Sequence, residues 1–369
     1  MTQFFGKTKI CYGEGALESL EQLQAKQAFI VTDCVMVKAG FADRVISYLD
    51  RAGIGQSVFD AIEPDPSLET VTTGTVEYLR SKTDLVIALG GGSVIDAAKA
   101  IMFFAHKASG GAVKPILVAI PTTSGTGSEV TSYSVITDKV NEVKIPLNDE
   151  YLIPDIAILD ARFTRTMPPF VTAATGMDVL THAIEAYTCL RSNAFTTIYA
   201  EHAIAYVSRY LPRAYRCGDD MEAREMMLLA SCMAGMAFNN SGLGITHSLA
   251  HSLGGLFHVP HGVANAVLLP YVIRFNSFHV GVKYLEIAKA FGLPATTVEE
   301  GTSGLIQSVR ELNESMGIPN GIRELDIGEG AFRSHMDVIA KNVLEDICTG
   351  GNPRRPSRED VIRLLGEAW

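Results

Sequence analysis

Two rhythms of hydrophobic positions alternate along the first third of the chain. Short apolar or β-branched runs stand at Ala28-Phe-Ile-Val-Thr32, Ser57-Val-Phe-Asp60, Asp84-Leu-Val-Ile-Ala-Leu89 and Pro115-Ile-Leu-Val-Ala-Ile120. Between them the 3.6-residue period of amphipathic helices appears over about 42–52, 68–81 and 94–106. Strands spaced in this way by helices predict a parallel, doubly wound α/β sheet with right-handed crossovers. From about Pro168 the pattern changes, and helical periodicity is expected over 172–189, 194–209, 221–238, 244–256, 282–291, 302–316, 331–343 and 358–369, with no strand of any length. Met167-Pro168-Pro169 is the natural break, because the residue before a proline is pushed out of the helical region. The expected organisation is an α/β domain over 1–168 and an all-α domain over 169–369, a division that a chain of 369 residues favours on size alone.

Composition narrows the function without choosing it. A net charge of −10 disfavours nucleic acid and anionic membrane as partners. The most apolar long stretch, 85–105, is interrupted by Asp96, Lys99 and three glycines, so no membrane span is expected. The six cysteines are scattered without Cys-x-x-Cys spacing, which argues against a disulfide framework and a thiolate metal site. The N-terminus shows no basic region followed by an apolar core, so a cytoplasmic location is expected.

Chemistry concentrates in three places. Four of the nine histidines, His247, His251, His258 and His261, fall within one nearly uncharged segment. His247 and His251 are four apart and share a helix face, as do Asp178 and His182 upstream. Four unrelated, hydrogen-bonded histidines would be the simpler account of one cluster. A second pair of the same spacing favours a metal held by Asp178, His182 and two or three of the downstream histidines. Such oxygen and nitrogen donors suit Fe(II), Zn(II), Mn(II) or Co(II) and do not choose among them. In the α/β half, Gly90-Gly-Gly-Ser-Val-Ile-Asp96 joins a buried strand to a helix. The glycines let an anion approach the backbone and the helix N-terminus attracts it, with Ser93 as N-cap and Asp96 three residues on. Pro121-Thr-Thr-Ser-Gly-Thr-Gly-Ser-Glu-Val-Thr131 follows the next strand and should lie at the same sheet edge, where nucleotides bind. Asp33, at another strand's end, could hold adenosine ribose hydroxyls and repel a 2′-phosphate, favouring NAD over NADP.

At these residues the sequence resembles the iron-containing (group III) alcohol dehydrogenases over its whole length. The motifs are Gly90-Gly-Gly-Ser-Val-Ile-Asp-Ala-Ala-Lys99, Pro121-Thr-Thr-Ser-Gly-Thr-Gly-Ser-Glu129, Gly176-Met-Asp-Val-Leu-Thr-His182, His247-Ser-Leu-Ala-His251 and Pro260-His-Gly262. Long stretches are similar to 1-propanol dehydrogenases of diol-degrading bacteria and to lactaldehyde reductases. The resemblance implies a dehydroquinate synthase-like fold, with a dinucleotide-binding N-terminal domain and a metal-binding helical one. It further implies a metal held by Asp178, His182, His247 and His261, with His251 beside the substrate as a proton relay and His258 outside the pattern. By the same resemblance the cofactor pyrophosphate lies at Gly91, Gly92 and Ser93 with Asp96 nearby, Thr122, Thr123 and Thr131 along the nicotinamide half, Lys144 near the ribose, and Asp33 at the position tied to NAD preference. The substrate pocket corresponds to Tyr133, Phe238 and Cys348; lactaldehyde reductases carry a smaller polar residue where this chain has Tyr133, so a short unfunctionalised alcohol fits better.

The expectation is therefore an NAD(H)- and metal-dependent alcohol dehydrogenase using Fe(II), or Zn(II) or another divalent ion. Its partners would be a small aldehyde or alcohol and further copies of itself, in a dimer or larger homo-oligomer. The cytoplasm is its expected place, a bacterial microcompartment being a more specific address used by some 1-propanol dehydrogenases. Glycerol dehydrogenases and the lyase dehydroquinate synthase share the implied fold and are the rival enzymes; a non-catalytic scaffold is the rival outside enzymes.

Overall fold

The computed structural model describes residues 3–111, 114–140 and 143–369. Backbone packing separates Gly6–Met167 from Pro168–Trp369, with Phe5 belonging to the second unit.

The first unit runs β1 (Lys9–Tyr12), β2 (Gln27–Val31), α1 (Cys34–Lys38), α2 (Phe41–Arg51), β3 (Gly55–Phe59), α3 (Leu68–Ser81), β4 (Leu85–Gly90), α4 (Gly92–Ala108), β5 (Ile116–Pro121), the hairpin β6 (Tyr133–Asp138) and β7 (Val143–Asn148), and β8 (Ile156–Leu159). Six strands form one parallel sheet in the order β1-β8-β5-β4-β2-β3. Alternation along the strands divides the core. Phe29, Val31, Val86, Ala88, Leu117 and Ala119 pack against α3 and α4 on one face. Ala28, Ile30, Leu85, Ile87, Leu89, Val118 and Ile120 meet Leu17, Leu20, Val45 and Leu49 on the other. Because both faces are covered, β4 is buried at every position, which is why it reads as an unbroken apolar run. The expected strands appear as β2 to β5. The short β1 and β8 and the antiparallel β6–β7 pair were not marked by periodicity.

The second unit is built from α5 (Pro169–Thr188), α6 (Ala194–Arg216), α7 (Met221–Ser241), α8 (Ile245–Phe257), α9 (His261–Phe291), α10 (Val298–Ser315), α11 (Glu329–Glu345) and α12 (Arg358–Ala368), and carries no strand among its described residues. Local chemistry sets their starts: Pro169 opens α5, and capping boxes pair Asn193 with Thr196, Thr297 with Glu300 and Ser357 with Asp360. The largest departure from the expected pattern is α9, which begins at His261 and not at Val282. Its first part is buried on nearly every side and contains Pro270, so it shows no polar face for a periodicity to register. A non-helical residue, Val280 (φ −133°, ψ 27°), interrupts it just before the stretch that does read as amphipathic. All six cysteines are free thiols, and no described helix is long and apolar enough to cross a membrane.

Candidate active site

Three helices of the second unit bring the histidine motifs together. Asp178, His182 and Glu185 occupy successive turns of one face of α5, a helix buried at almost every position from Thr172 onward. His247 sits in the first turn of α8. His261 is the first residue of α9 after Pro260, and a side chain at the next position would not fit: a Cβ on Gly262 would stand 2.2 Å from the carbonyl oxygen of Ala174. That close approach of α9 to α5 carries His261 to within 3.6 Å of Asp178.

Asp178, His247 and His261 offer donor atoms within 4.8 Å of one another. Nε2 of His247 lies 3.7 Å from Asp178 Oδ1, and Nδ1 of His182 lies 3.9 Å from Oδ2. Donors about 2.1 Å from a shared tetrahedral ion stand about 3.4 Å apart, so these separations suit a divalent metal. The imidazole of His247 supplies a sharper test. Its Nδ1 meets Glu185 Oε2 at 2.6 Å, which fixes the ring proton on that side. Nε2, facing Asp178, is buried without a hydrogen-bond partner. A buried, unpartnered ring nitrogen aimed at a carboxylate and a second imidazole fits a cation between them. Asn265, one turn beyond His261, donates to Asp178 Oδ1 at 2.7 Å and holds it in place.

The charges agree with this arrangement. Burial alone would raise the Asp178 pKa, but the imidazoles of His182, His261 and His247 hold it well below the usual carboxylate range. Burial opposes a charged His247, yet Asp178 and Glu185 outweigh it and push the pKa up to about 9, so that without an ion a proton occupies the Nε2 position a metal would take. Glu185 stays ionised against desolvation because it accepts from His247, from the Thr246 N–H at 2.7 Å and from the Gly244 N–H at 2.9 Å. His182 stacks between the rings of His247 and Phe238, with centroids 4.6 and 4.5 Å away.

His251, next along α8, stacks on His261 with centroids 5.3 Å apart. Its side chain is 46% exposed and its Nδ1 meets Asp346 Oδ2 at 2.8 Å. Asp346 Oδ1 accepts from Ser248 Oγ and from the Cys348 N–H, so Cys348 lies beside this imidazole. His258 takes no part. It is exposed and closes α8 in the left-handed conformation, at φ 57°.

In the first unit, the turn after β4 differs from expectation at one residue. Ser93 is not the N-cap; that position is Gly91, α4 begins at Gly92, and no side chain caps it. Ser93 lies inside the first turn and its hydroxyl accepts from the Asp65 N–H at 3.4 Å. The uncapped end leaves first-turn N–H groups to an anion. Close packing explains part of the glycine run, since a Cβ on Gly92 would stand 2.5 Å from Thr126 Cγ2. The carboxylate of Asp96 is used internally, accepting from Ser128 Oγ at 2.6 Å and the Val135 N–H at 2.9 Å. Asp33 is the N-cap of α1, accepting from the N–H groups of Val35 and Met36. Thr122 and Thr131 are buried and Thr123 half-buried on the loop after β5. Lys144, on β7, is ion-paired with Asp65. Tyr133 opens β6 in this unit, whereas Phe238 and Cys348 belong to the helical one.

Sequence reasoning passed over four residues. Glu185 and Asn265 continue the helical faces of His182 and His261, a signal that was available. Asp346 approaches His251 from far along the chain and leaves no local signature. Lys99 is fully buried; its Nζ donates to Ser128 Oγ (2.9 Å) and to the carbonyls of Thr131 (2.9 Å) and Tyr133 (2.8 Å). Lys99 and Asp96 together tie the loop carrying Thr131 and Tyr133 to α4. Burial lowers the Lys99 pKa to about 8 against the attraction of Asp96 and Glu129.

Residues 7–161 match the model of the iron-containing alcohol dehydrogenases, and residues 172–369 that of the Fe-containing alcohol dehydrogenase family, C-terminal. The chain is 44% identical to the NADPH-dependent butanol dehydrogenase of Clostridium saccharobutylicum, over 99% of this chain and 97% of that one. It is 40% identical to the 1-propanol dehydrogenase PduQ of Salmonella typhimurium over the full length of both. Its fold superposes on a crystal structure of a 1,3-propanediol oxidoreductase with a TM-score of 0.93, at 34% identity and full coverage of both chains. Matches across both units, together with helices that gather an aspartate and histidines around a buried, unpartnered ring nitrogen, place the chain in the iron-containing alcohol dehydrogenase family, oxidoreductases that interconvert alcohols and aldehydes.

Proposed function

We propose that the protein interconverts a short primary alcohol and its aldehyde, with NAD(H) as hydride carrier and a divalent ion, iron first, held by Asp178, His182, His247 and His261. The observation that carries this reading is His247: a buried imidazole whose outer nitrogen is fixed by Glu185 and whose inner nitrogen faces Asp178 unpartnered. Held there, a divalent ion would supply Lewis-acid polarisation of the substrate oxygen, and a bound nicotinamide would supply the hydride exchange. The chain's own residues do the rest. Glu185 and Asn265 orient the ligands. His251, exposed and held at Nδ1 by Asp346, moves the proton between the substrate oxygen and water. The bare N-terminus of α4, at Gly91, Gly92 and Ser93, receives the pyrophosphate, with Thr122, Thr123 and Thr131 on the loop beside it and Asp96 and Lys144 supporting its surroundings. Phe238 supplies an apolar wall beside His182, which suits a chain of two to four carbons or so better than a hydroxylated one.

Asp33 supports NAD over NADP, because a carboxylate at a strand's end repels a 2′-phosphate. The butanol dehydrogenase relative is named NADPH-dependent, so cofactor choice is measured directly. The assay is oxidation of NADH and of NADPH with propanal by metal-stripped protein reloaded with Fe(II) or Zn(II). Restored turnover that is lost in His261→Ala, with NADH preferred and the preference narrowed by Asp33→Gly, is the expected result. Equal turnover with NADPH in the wild type overturns the Asp33 argument. A clear preference for lactaldehyde over propanal and butanal overturns the substrate reading. Tight NADH binding with no turnover on either metal moves the weight to a lyase of this fold or to a scaffold. A cytoplasmic location belongs to the same proposal.

A further inference from the structure

A second set of donors stands beside the Asp178–His247–His261 trio: an imidazole nitrogen of His251, a carboxylate oxygen of Asp346 and Sγ of Cys348 lie within 4.8 Å of one another. The set is held in shape by its neighbours. Asp346 Oδ1 is occupied by Ser248 Oγ at 3.0 Å and by the Cys348 N–H at 2.8 Å, which leaves Oδ2 on the side of His251, 2.8 Å from Nδ1. Nitrogen and oxygen donors on a shared tetrahedral ion stand about 3.4 Å apart, and sulfur a few tenths of an ångström further, so the His251–Asp346 pair would open slightly to admit a cation that Cys348 is near enough to meet. The proton now shared by His251 and Asp346 occupies one edge of the position such an ion would fill.

We propose that His251, Asp346 and Cys348 form a second metal site, specific for a thiophilic divalent cation such as Zn(II). A thiolate, an imidazole and a carboxylate favour Zn(II) or Co(II) over magnesium or calcium. Burial, then Asp346 and Glu185, raise the Cys348 thiol well above its ordinary pKa; a coordinating cation reverses this and takes the thiol as thiolate, releasing its proton to water. The occupied site would claim the imidazole assigned to proton transfer and the cysteine assigned to the substrate side. Excess zinc would then inhibit an iron-loaded enzyme, a consequence that rests on the role proposed for His251, whereas binding itself does not.

The two sites differ in one spectroscopic respect. The first has no sulfur donor, so thiolate-to-cobalt charge transfer can come only from a cysteine. Full-length, metal-stripped protein is titrated anaerobically with Co(II), following ultraviolet absorbance and bound cobalt by equilibrium dialysis. The expected result is uptake of two equivalents, one of them developing the charge-transfer band. Cys348→Ser abolishes the band and one equivalent, and Asp346→Asn weakens that equivalent by about tenfold or more. His261→Ala does the converse, losing the sulfur-free equivalent and keeping the band, so failure of the first site is distinguishable from failure of the second. A wild-type titration without the band, or a band that survives in Cys348→Ser, overturns the proposal. If Cys348→Ser does not fold, a band unchanged in Asp346→Asn overturns it equally.

Discussion

Replacing Glu185 by glutamine exchanges one buried carboxylate oxygen for an amide nitrogen at nearly constant volume, and neither orientation of the amide suits the site. Oε2 accepts from the Gly244 N–H and from His247 Nδ1, and Oε1 accepts from the Thr246 N–H. With the amide nitrogen in the Oε1 position, Thr246 N–H faces a donor and loses its partner. With the nitrogen in the Oε2 position, Gly244 N–H is orphaned instead. His247 must then accept at Nδ1, which leaves its ring proton on Nε2, the nitrogen turned toward Asp178. Either way one buried N–H goes unsatisfied, which costs about 1–3 kcal/mol of stability in the metal-free protein. The tautomer change and the lost negative charge weaken the metal by about 10- to 100-fold, as expected when a partner carboxylate behind a ligating histidine is removed. Two measurements separate these effects: urea unfolding of the metal-free variant, and metal affinity by competition with a chelator of known strength. Glu185→Asp keeps the charge and should retain more metal than Glu185→Gln. Metal affinity equal to wild type in Glu185→Gln would refute the orienting role, and unchanged metal-free stability would refute the hydrogen-bond accounting.

Three further outcomes follow from the geometry. His258→Gly, at a position with φ 57°, should stabilise the protein by roughly 0.5–1 kcal/mol in thermal or urea unfolding and leave metal content unchanged; metal loss would show His258 to be a ligand after all. Lys99→Met removes a buried ammonium from its acceptors on Ser128, Thr131 and Tyr133 and should cost about 3 kcal/mol while raising KM for NADH by loosening the loop at Thr131 and Tyr133; wild-type stability and KM would show that the loop does not depend on it. Burial raises the Glu129 pKa from 4.5 to about 7, against the pull of backbone donors and Lys99. Between these values the folded state binds more protons than the unfolded one. Stability from this group is therefore complete below pH 4.5 and lost as pH rises through about 7. Glu129→Gln should flatten that part of the stability–pH curve, and an unchanged slope would assign it to another group.

How far the sequence reached depended on whether a residue's neighbours were local. β2 to β5 and most of the helices announced themselves by period, and the i, i+4 spacing of Asp178 with His182 marked a face that the fold does turn toward His247. His251 shares a face with His247 as spacing implied, but its carboxylate partner, Asp346, lies on a distant segment. The first half of α9 was silent because burial on all sides removes the polar stripe that makes a helix readable, and Pro270 argued against one. Ser93 was misread as a cap because serine is a favoured capping residue. Here the backbone turns two residues earlier, at Gly91, where Gly92 must pass close to Thr126.

The convergence of α5 with the α8–α9 pair has a mechanical meaning. Asp178 and His182 lie far upstream of His247 and His261, so an ion held by all four would be a cross-link closing a long loop of chain. It differs from a disulfide in that a chelator can remove it. Cross-links of this span act by restricting the unfolded chain, and the restriction grows slowly with loop length. Losing the ion would then lift that restriction as well as emptying a reactive centre, while the apolar packing of α5 remains. Resistance to proteolysis would follow the metal content of the preparation, whether or not substrate is present.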